Sequence, residues 1–256
     1  PFRVSTEGLL PADGNEGLLT GLDDVVGSTP LQVQLFADLQ TAEQRTELNE
    51  LQRLALLDVR YILTKRDFPA ADKRFTLLGK EGDLHLYRLS SDATLPRAWL
   101  VHGATQAPSE GELAMLGKLD FRQTALVDRQ IDLPSVGATA AGESLTYVTY
   151  APTRSVVQVA SAAPGLVVFS EIWYPGWQAT LDGRTAPIIR ADHSFRAVAV
   201  PAGRHEIAMW YAPEILRRGV TVSVIAAGCC LVLLAIDVAL AVLGVRRGVL
   251  LQEVAP

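Results

Sequence analysis

Apolar positions recur at helical spacing in the first part of the chain. Between Thr29 and Leu57 they fall at Leu31, Leu35 and Leu39, then at Leu48, Leu51, Leu54 and Ala55. Steps of three and four residues line one face of a helix. The polar stretch Thr41-Ala42-Glu43-Gln44-Arg45 interrupts the pattern, so two helices are predicted. Short β-type runs follow at 59–64, 75–78, 84–89, 98–102 and 124–127, rich in the branched and aromatic residues that suit strands. Ser109 with Glu112 three residues on has the spacing of a capping box and predicts a short helix ending at Gly117. Residues 1–30 read as loops, with apolar runs at 9–10 and 18–19 and one short strand at 2–4. Residues 1–133 thus read as a mixed α/β domain.

Residues 134–143 are small and nearly uncharged, and they read as a linker. Beyond them the texture becomes short strands, at 145–151, 155–161, 165–172, 178–181, 186–190, 195–200 and 205–211. Asp182-Gly183 between two of these is a hairpin signal, because a two-residue type I′ turn needs positive φ at both positions. Pro201-Ala202-Gly203 predicts another turn. In the last strand Ile207, Met209 and Tyr211 alternate with Glu206, Ala208 and Trp210, the period that buries one face. Seven short strands at this spacing predict an antiparallel β-sandwich over 144–213. The fold class expected is α+β.

Residues 220–245 read VTVSVIAAGCCLVLLAIDVALAVLGV, with Arg217-Arg218 before and Arg246-Arg247 after. As a helix this run covers roughly 39 Å at ~1.5 Å per residue. A bilayer core is ~30 Å thick, and the flanking arginines can reach the headgroups. A transmembrane helix is predicted at 218–245, followed by a short tail at 246–256. Asp237 is an intramembrane carboxylate in the outer half of the span, read as a tolerated polar residue near the interface or facing another helix. The chain opens Pro1-Phe2-Arg3-Val4, without an initiator Met or a basic-then-apolar leader. Two topologies are open: a tail-anchored protein, or the C-terminal piece of a longer membrane protein whose earlier helices export the domain. The second is favoured.

Composition narrows the classes. Of 256 residues, 49% are hydrophobic and 20% charged, which excludes disorder. A net charge of −5 argues against a nucleic-acid partner. The two cysteines, Cys229 and Cys230, are adjacent and fit neither a disulfide framework nor a zinc site; they read as small apolar packing. No phosphate-binding, dinucleotide, zinc-protease or nucleophile-elbow motif occurs. The histidines His85, His102, His193 and His205 lack ligand spacing. Neither catalytic residues, nor metal ligands, nor a cofactor are predicted.

The densest aromatic cluster is Glu171-Ile172-Trp173-Tyr174-Pro175-Gly176-Trp177. Flat rings beside a rigid turn can stack on the apolar faces of sugars, and Asp182, Arg190, Asp192 and His193 could hydrogen-bond a sugar's polar rim. The candidate glycan-binding residues are therefore Trp173, Tyr174, Trp177, Asp182 and His193. The alternative is that Trp173 and Trp177 anchor the sandwich core.

Tyr174-Pro175-Gly176-Trp177, Asp182-Gly183, Phe195-Arg196-Ala197-Val198, Pro201-Ala202-Gly203-Arg204-His205 and Tyr211-Ala212-Pro213 occur in that order, with a Gly before the last helix. This series resembles the C-terminal part of YfhO-like bacterial membrane proteins, of the GT-C glycosyltransferase type. Val59-Arg60-Tyr61-Ile62-Leu63-Thr64 and Leu95-Pro96-Arg97-Ala98 are similar to that family's extracytoplasmic region. The resemblance covers the chain from about residue 2 to the membrane helix. It implies a polytopic enzyme moving sugar from a polyprenyl-phosphate donor. The many preceding helices and the early acidic catalytic residue have no counterpart here, so this part is expected to be non-catalytic, capping the catalytic cavity or holding a glycan or lipid-linked sugar. The partners implied are the lipid bilayer, upstream transmembrane helices of the parent protein, and a glycan or polyprenyl-phosphate sugar. The competing reading is a membrane-anchored polysaccharide-binding or structural module with no enzyme activity.

Overall fold

The computed structural model describes residues 2–7, 9, 21–25, 33–42, 47–131, 133 and 142–252, with side chains described as far as residue 242. Expectations at Leu10, Leu18, Leu19, 29–31, 43–45, 134–141 and 253–256 lie outside the described residues.

The first stretch forms β1 (Arg3–Ser5), α1 (Gln34–Thr41), α2 (Glu50–Leu56), β2 (Val59–Thr64), β3 (Phe75–Glu81), β4 (Leu84–Leu89), β5 (Ala98–Val101), β6 (Gly103–Gln106), α3 (Glu112–Leu116) and β7 (Thr124–Val127). The second forms β8 (Ser144–Ala151), β9 (Arg154–Ser161), β10 (Gly165–Ile172), β11 (Trp177–Leu181), β12 (Arg184–Ala186), β13 (Ile189–Ala191), β14 (Phe195–Val200), β15 (Gly203–Tyr211) and α4 (Glu214–Gln252). The chain divides into two compact units, Pro1–Tyr211 and Ala212–Pro256.

Three sheets build the first unit, ordered β1-β2-β4-β3, β5-β10-β14-β13-β7-β6 and β12-β11-β15-β9-β8. The six-stranded sheet draws three strands from before residue 134 and three from after it. Its interior strand β10 reads GLVVFSEI, and the alternation of that run sets two cores. Leu166 and Val168 pack with Phe195, Ala197, Leu126 and residues of the three short helices. Val167 and Phe169 face the other way, onto Val198, Val157, Ile207 and Met209. The six-stranded sheet is thus covered by helices on one face and by the five-stranded sheet on the other. A strand buried on both faces reads as a continuous apolar run, and β10 does.

Local chemistry sets the element ends. The β11–β12 hairpin pairs Leu181 with Arg184, leaving Asp182 (φ 50°) and Gly183 (φ 75°) as the two turn residues. Positive φ at both is the type I′ geometry the sequence predicts. Helix α2 opens with a capping box in which Gln52 N–H donates to Asn49 Oδ1 (2.9 Å) and Asn49 N–H to Gln52 Oε1 (3.0 Å). The capping box expected at Ser109 does not form. Gly111, at φ 74°, is the N-cap of α3 and no side chain caps it, because α3 starts two residues later than a Ser109 cap requires. The strand expected at 186–190 is instead two strands in two sheets, β12 and β13. Pro187 lies at the break, where its missing N–H prevents a continuous ladder. Strand β6, which the sequence did not predict, pairs in parallel with β7.

Helix α4 is 39 residues long and begins four residues before the predicted span. Glu214–Val242 is long and apolar enough to cross a membrane. Its side chains are exposed throughout, with Leu231 at 67% and Leu233 at 66%. Exposed apolar surface costs roughly 25 cal/mol per Å² in water, so a lipid environment suits this helix and an aqueous one does not.

Candidate functional site

A charged layer lies between the six-stranded and five-stranded sheets, beside the aromatic corner at 173–177. A bulge creates it. Along the β10–β14 ladder Phe169 pairs with Arg196 and Ile172 with Phe195, so Ser170 and Glu171 are extra residues on β10. Such bulges re-aim side chains, and here Glu171 meets three arginines from distant parts of the chain. Arg97 Nε donates to Glu171 Oε1 at 2.7 Å, Arg196 Nη2 to Oε2 at 3.5 Å, and Arg3 Nη2 lies 3.9 Å from Oε1. Tyr150 Oη also donates to Glu171 Oε1, at 3.0 Å. Arg97 pairs with Asp23 as well. Arg3 is fixed through Ser170, donating to its Oγ (2.9 Å) and its carbonyl (2.8 Å).

The charge balance of this layer is positive, with three guanidiniums against Glu171 and Asp23. Arg97 and Arg196 are buried, each side chain 3% exposed. Burial pushes Arg196 down to about 10, against the opposing pull of Glu171. Burial also lowers Arg3. For Arg97 burial acts downward too, but Glu171 and Asp23 outweigh it and its pKa is raised. Burial and then Glu171 push Tyr150 up to about 12. Among the described residues, Arg97 Nη1, Arg196 Nε and Nη1, and the Tyr147 hydroxyl make no hydrogen bond. Unpaired buried donors are costly in a folded protein, and this layer holds four such atoms.

The aromatic corner joins this layer through Trp177. The Arg196 Cζ sits 3.6 Å over its ring centroid, a cation–π contact, and Tyr211 lies 5.5 Å away at 50°. One face of Trp177 is therefore taken by Arg196. Tyr174 is 49% exposed, 6.5 Å from Tyr211. Trp173 is half-buried, and its N–H donates to Ser194 O at 2.7 Å. These three candidate residues share one corner.

The other two lie elsewhere. Asp182 is exposed at the β11–β12 turn, at the far end of β11 from Trp177, roughly 16 Å along a strand rising ~3.3 Å per residue. There it accepts from Glu206 N–H (2.8 Å) and lies 2.7 Å from His205 Nδ1. His193 is buried in the β13–β14 turn, with Nδ1 3.0 Å from Glu112 Oε2, and Arg190 also donates to Glu112. Its neighbour Asp192 is fully buried, accepts from Leu126 N–H at 2.8 Å, and is pushed up to about 7 by burial. Both turn residues have positive φ, 44° and 71°, an uncommon conformation for non-glycine residues.

Arg3, Arg97, Tyr147 and Tyr150 were not singled out by sequence reasoning. The available signal was an arginine next to or inside an apolar strand run, as in Arg97 before Ala98-Trp99-Leu100-Val101 and Arg196 within Phe195–Val200. Among the described residues no group of three His, Cys, Asp or Glu side chains could hold a metal ion.

The chain thus presents a layered β-rich unit and, by itself, one C-terminal helix long and apolar enough to cross a membrane. Residues 121–223 match the family model of the bacterial membrane protein YfhO, and over that stretch the chain is similar to that family. The matched residues hold every strand from β7 to β15 and the start of α4; β1–β6 lie before them. No curated protein and no solved structure matches the chain.

Proposed function

We propose that this chain is the extracytoplasmic C-terminal part of a glycosyltransferase-like membrane protein that uses a polyprenyl-phosphate sugar. The chain is non-catalytic: it caps the catalytic cavity and holds a glycan or lipid-linked sugar at the corner built by Trp173, Tyr174 and Trp177. The observation that carries the reading is the YfhO match, which runs from the strands of the folded unit into the apolar helix. Two features of the corner support it. Tyr174 offers an exposed ring on which a sugar's C–H face can stack, and the adjacent layer is rich in guanidinium donors suited to hydroxyl and phosphate oxygens. Trp177, covered by Arg196, positions the corner; Asp182 and His193 stand apart from it.

The test uses the full chain in phosphatidylcholine nanodiscs, titrated with hexose and N-acetylhexosamine oligosaccharides and with a polyprenyl-phosphate hexose. Binding to one of these is expected, weakened at least tenfold by Tyr174→Ala with an unchanged Tm. Trp177→Ala is expected to lower the Tm through loss of its packing. Membranes carrying this chain alone are expected to transfer no labelled sugar, and protease added to intact cells is expected to digest residues 1–211. Absence of binding to every probe, or full binding by Tyr174→Ala, would overturn the reading.

A further inference from the structure

A groove of about 620 Å³ runs along the four-stranded sheet and the loop after it, lined by Arg60, Arg88 and Arg122 with Tyr61, Thr76 and Ser91. We infer that this groove binds phosphate groups, as a site separate from the aromatic corner and independent of the glycan reading. Three arginines line it and no carboxylate does, in a chain whose net charge is −5.

Backbone pairing builds the site. Tyr61 on β2, Arg88 on β4 and Thr76 on β3 are direct cross-strand partners, so the three side chains form one row across the sheet face. Arg60 is held from behind, its Nε 3.4 Å from the buried Asp58 carboxylate. Arg122 comes from the turn before β7 and is fixed by carbonyls, its Nη2 donating to Asp92 O (3.1 Å) and Thr94 O (2.5 Å). Two of the three guanidiniums are thus oriented by the fold. Arg88 differs: it is exposed and makes no ion pair or side-chain hydrogen bond with a described residue. Its charge is free for a ligand, flanked by the carbonyl-held Arg122, by Arg60 with its Asp58 partner, and by hydroxyls.

Guanidinium forks match the oxygens of phosphate in paired hydrogen bonds, and hydroxyl donors complete a tetrahedral oxyanion's needs. The groove is large enough for a diphosphate or a phosphate carried on a longer chain. The ligand class is therefore a phosphate ester or diphosphate, borne by a soluble molecule or by a lipid headgroup.

Isothermal titration of the full chain in phosphatidylcholine nanodiscs with sodium pyrophosphate tests this. Saturable binding is expected, weakening as salt rises. Arg88→Gln, which removes the charge and leaves a shorter polar amide, is expected to weaken it at least tenfold, and Arg88→Lys by less. Neither is expected to move the Tm, because the side chain is exposed. Tyr174→Ala is expected to bind pyrophosphate as the wild type does, which separates this site from the glycan corner. In phosphatidylglycerol nanodiscs, loss of pyrophosphate binding identifies the headgroup as the occupant, and its retention identifies a soluble phosphate ester. Absence of saturable binding in phosphatidylcholine, or an Arg88→Gln variant that binds like wild type, would overturn the inference.

Discussion

Glu171→Gln isolates the charge at the centre of the buried layer. The amide keeps the size of the side chain and one acceptor oxygen but removes the anion facing Arg97 at 2.7 Å, Arg196 at 3.5 Å and Arg3 at 3.9 Å. Two opposite charges ~4 Å apart attract by about 4 kcal/mol at an effective dielectric of ~20. Removing one partner of a buried pair costs about 3–5 kcal/mol, because the remaining charge stays buried. Glu171 itself is 22% exposed and Asp23 still faces Arg97, so the lower end applies, about 3 kcal/mol. For a unit of this size each kcal/mol moves Tm by roughly 2–4 °C, so a fall of roughly 6–12 °C is expected. Near-UV circular dichroism of the full chain in nanodiscs reads it, with the exposed Glu206→Gln as a control expected to change stability by less than about 0.5 kcal/mol. Adding Arg196→Met to Glu171→Gln is expected to restore part of the loss, since it removes a cation left unpaired. A Glu171→Gln variant that melts within about 2 °C of wild type would refute the account of this layer as mutually dependent ion pairs.

The Asp192 carboxyl, raised from 3.8 to about 7 by burial, binds its proton more tightly folded than unfolded. Stability from this group is therefore greatest below about pH 4 and is lost as pH rises to about 7. Asp192→Asn lacks that loss, so denaturant melts at pH 5 and pH 8 should show the variant gaining about 2–3 kcal/mol on wild type between them; a constant difference would contradict the assignment. Gly165→Ala places a Cβ 2.8 Å from Val101 O and 2.9 Å from Leu100 Cδ1, at the start of β10 against β5. It should cost about 1–3 kcal/mol as overpacking, read as a lowered midpoint in the same melts.

How much of this was legible in the sequence depends on the range of the interaction. Strands β2, β4, β7, β10 and β14 fall at their predicted bounds, because residue pattern and turn chemistry are local. The hairpin at Asp182-Gly183 was legible for the same reason. Pairing between sheets is not local: nothing at 186–190 says that Ala186 belongs to the five-stranded sheet and Ile189 to the six-stranded one. The aromatic half of the candidate site was legible as a run of rings, while its charged half is assembled from Arg3, Arg97, Tyr150, Glu171 and Arg196, far apart in sequence. Arg196 carries the lesson furthest. In Phe195-Arg196-Ala197-Val198 a period-two reading sends Phe195 and Ala197 inward and Arg196 to solvent. That reading assumes a sheet with one wet face. Here both faces are covered, so the polar position is buried as deeply as the apolar one, and the arginine must find its partners inside. Once the second sheet closes over β14, an ion-pair layer is the arrangement that lets Arg196 stay charged, and Glu171, turned inward by the bulge, is the residue that makes it possible.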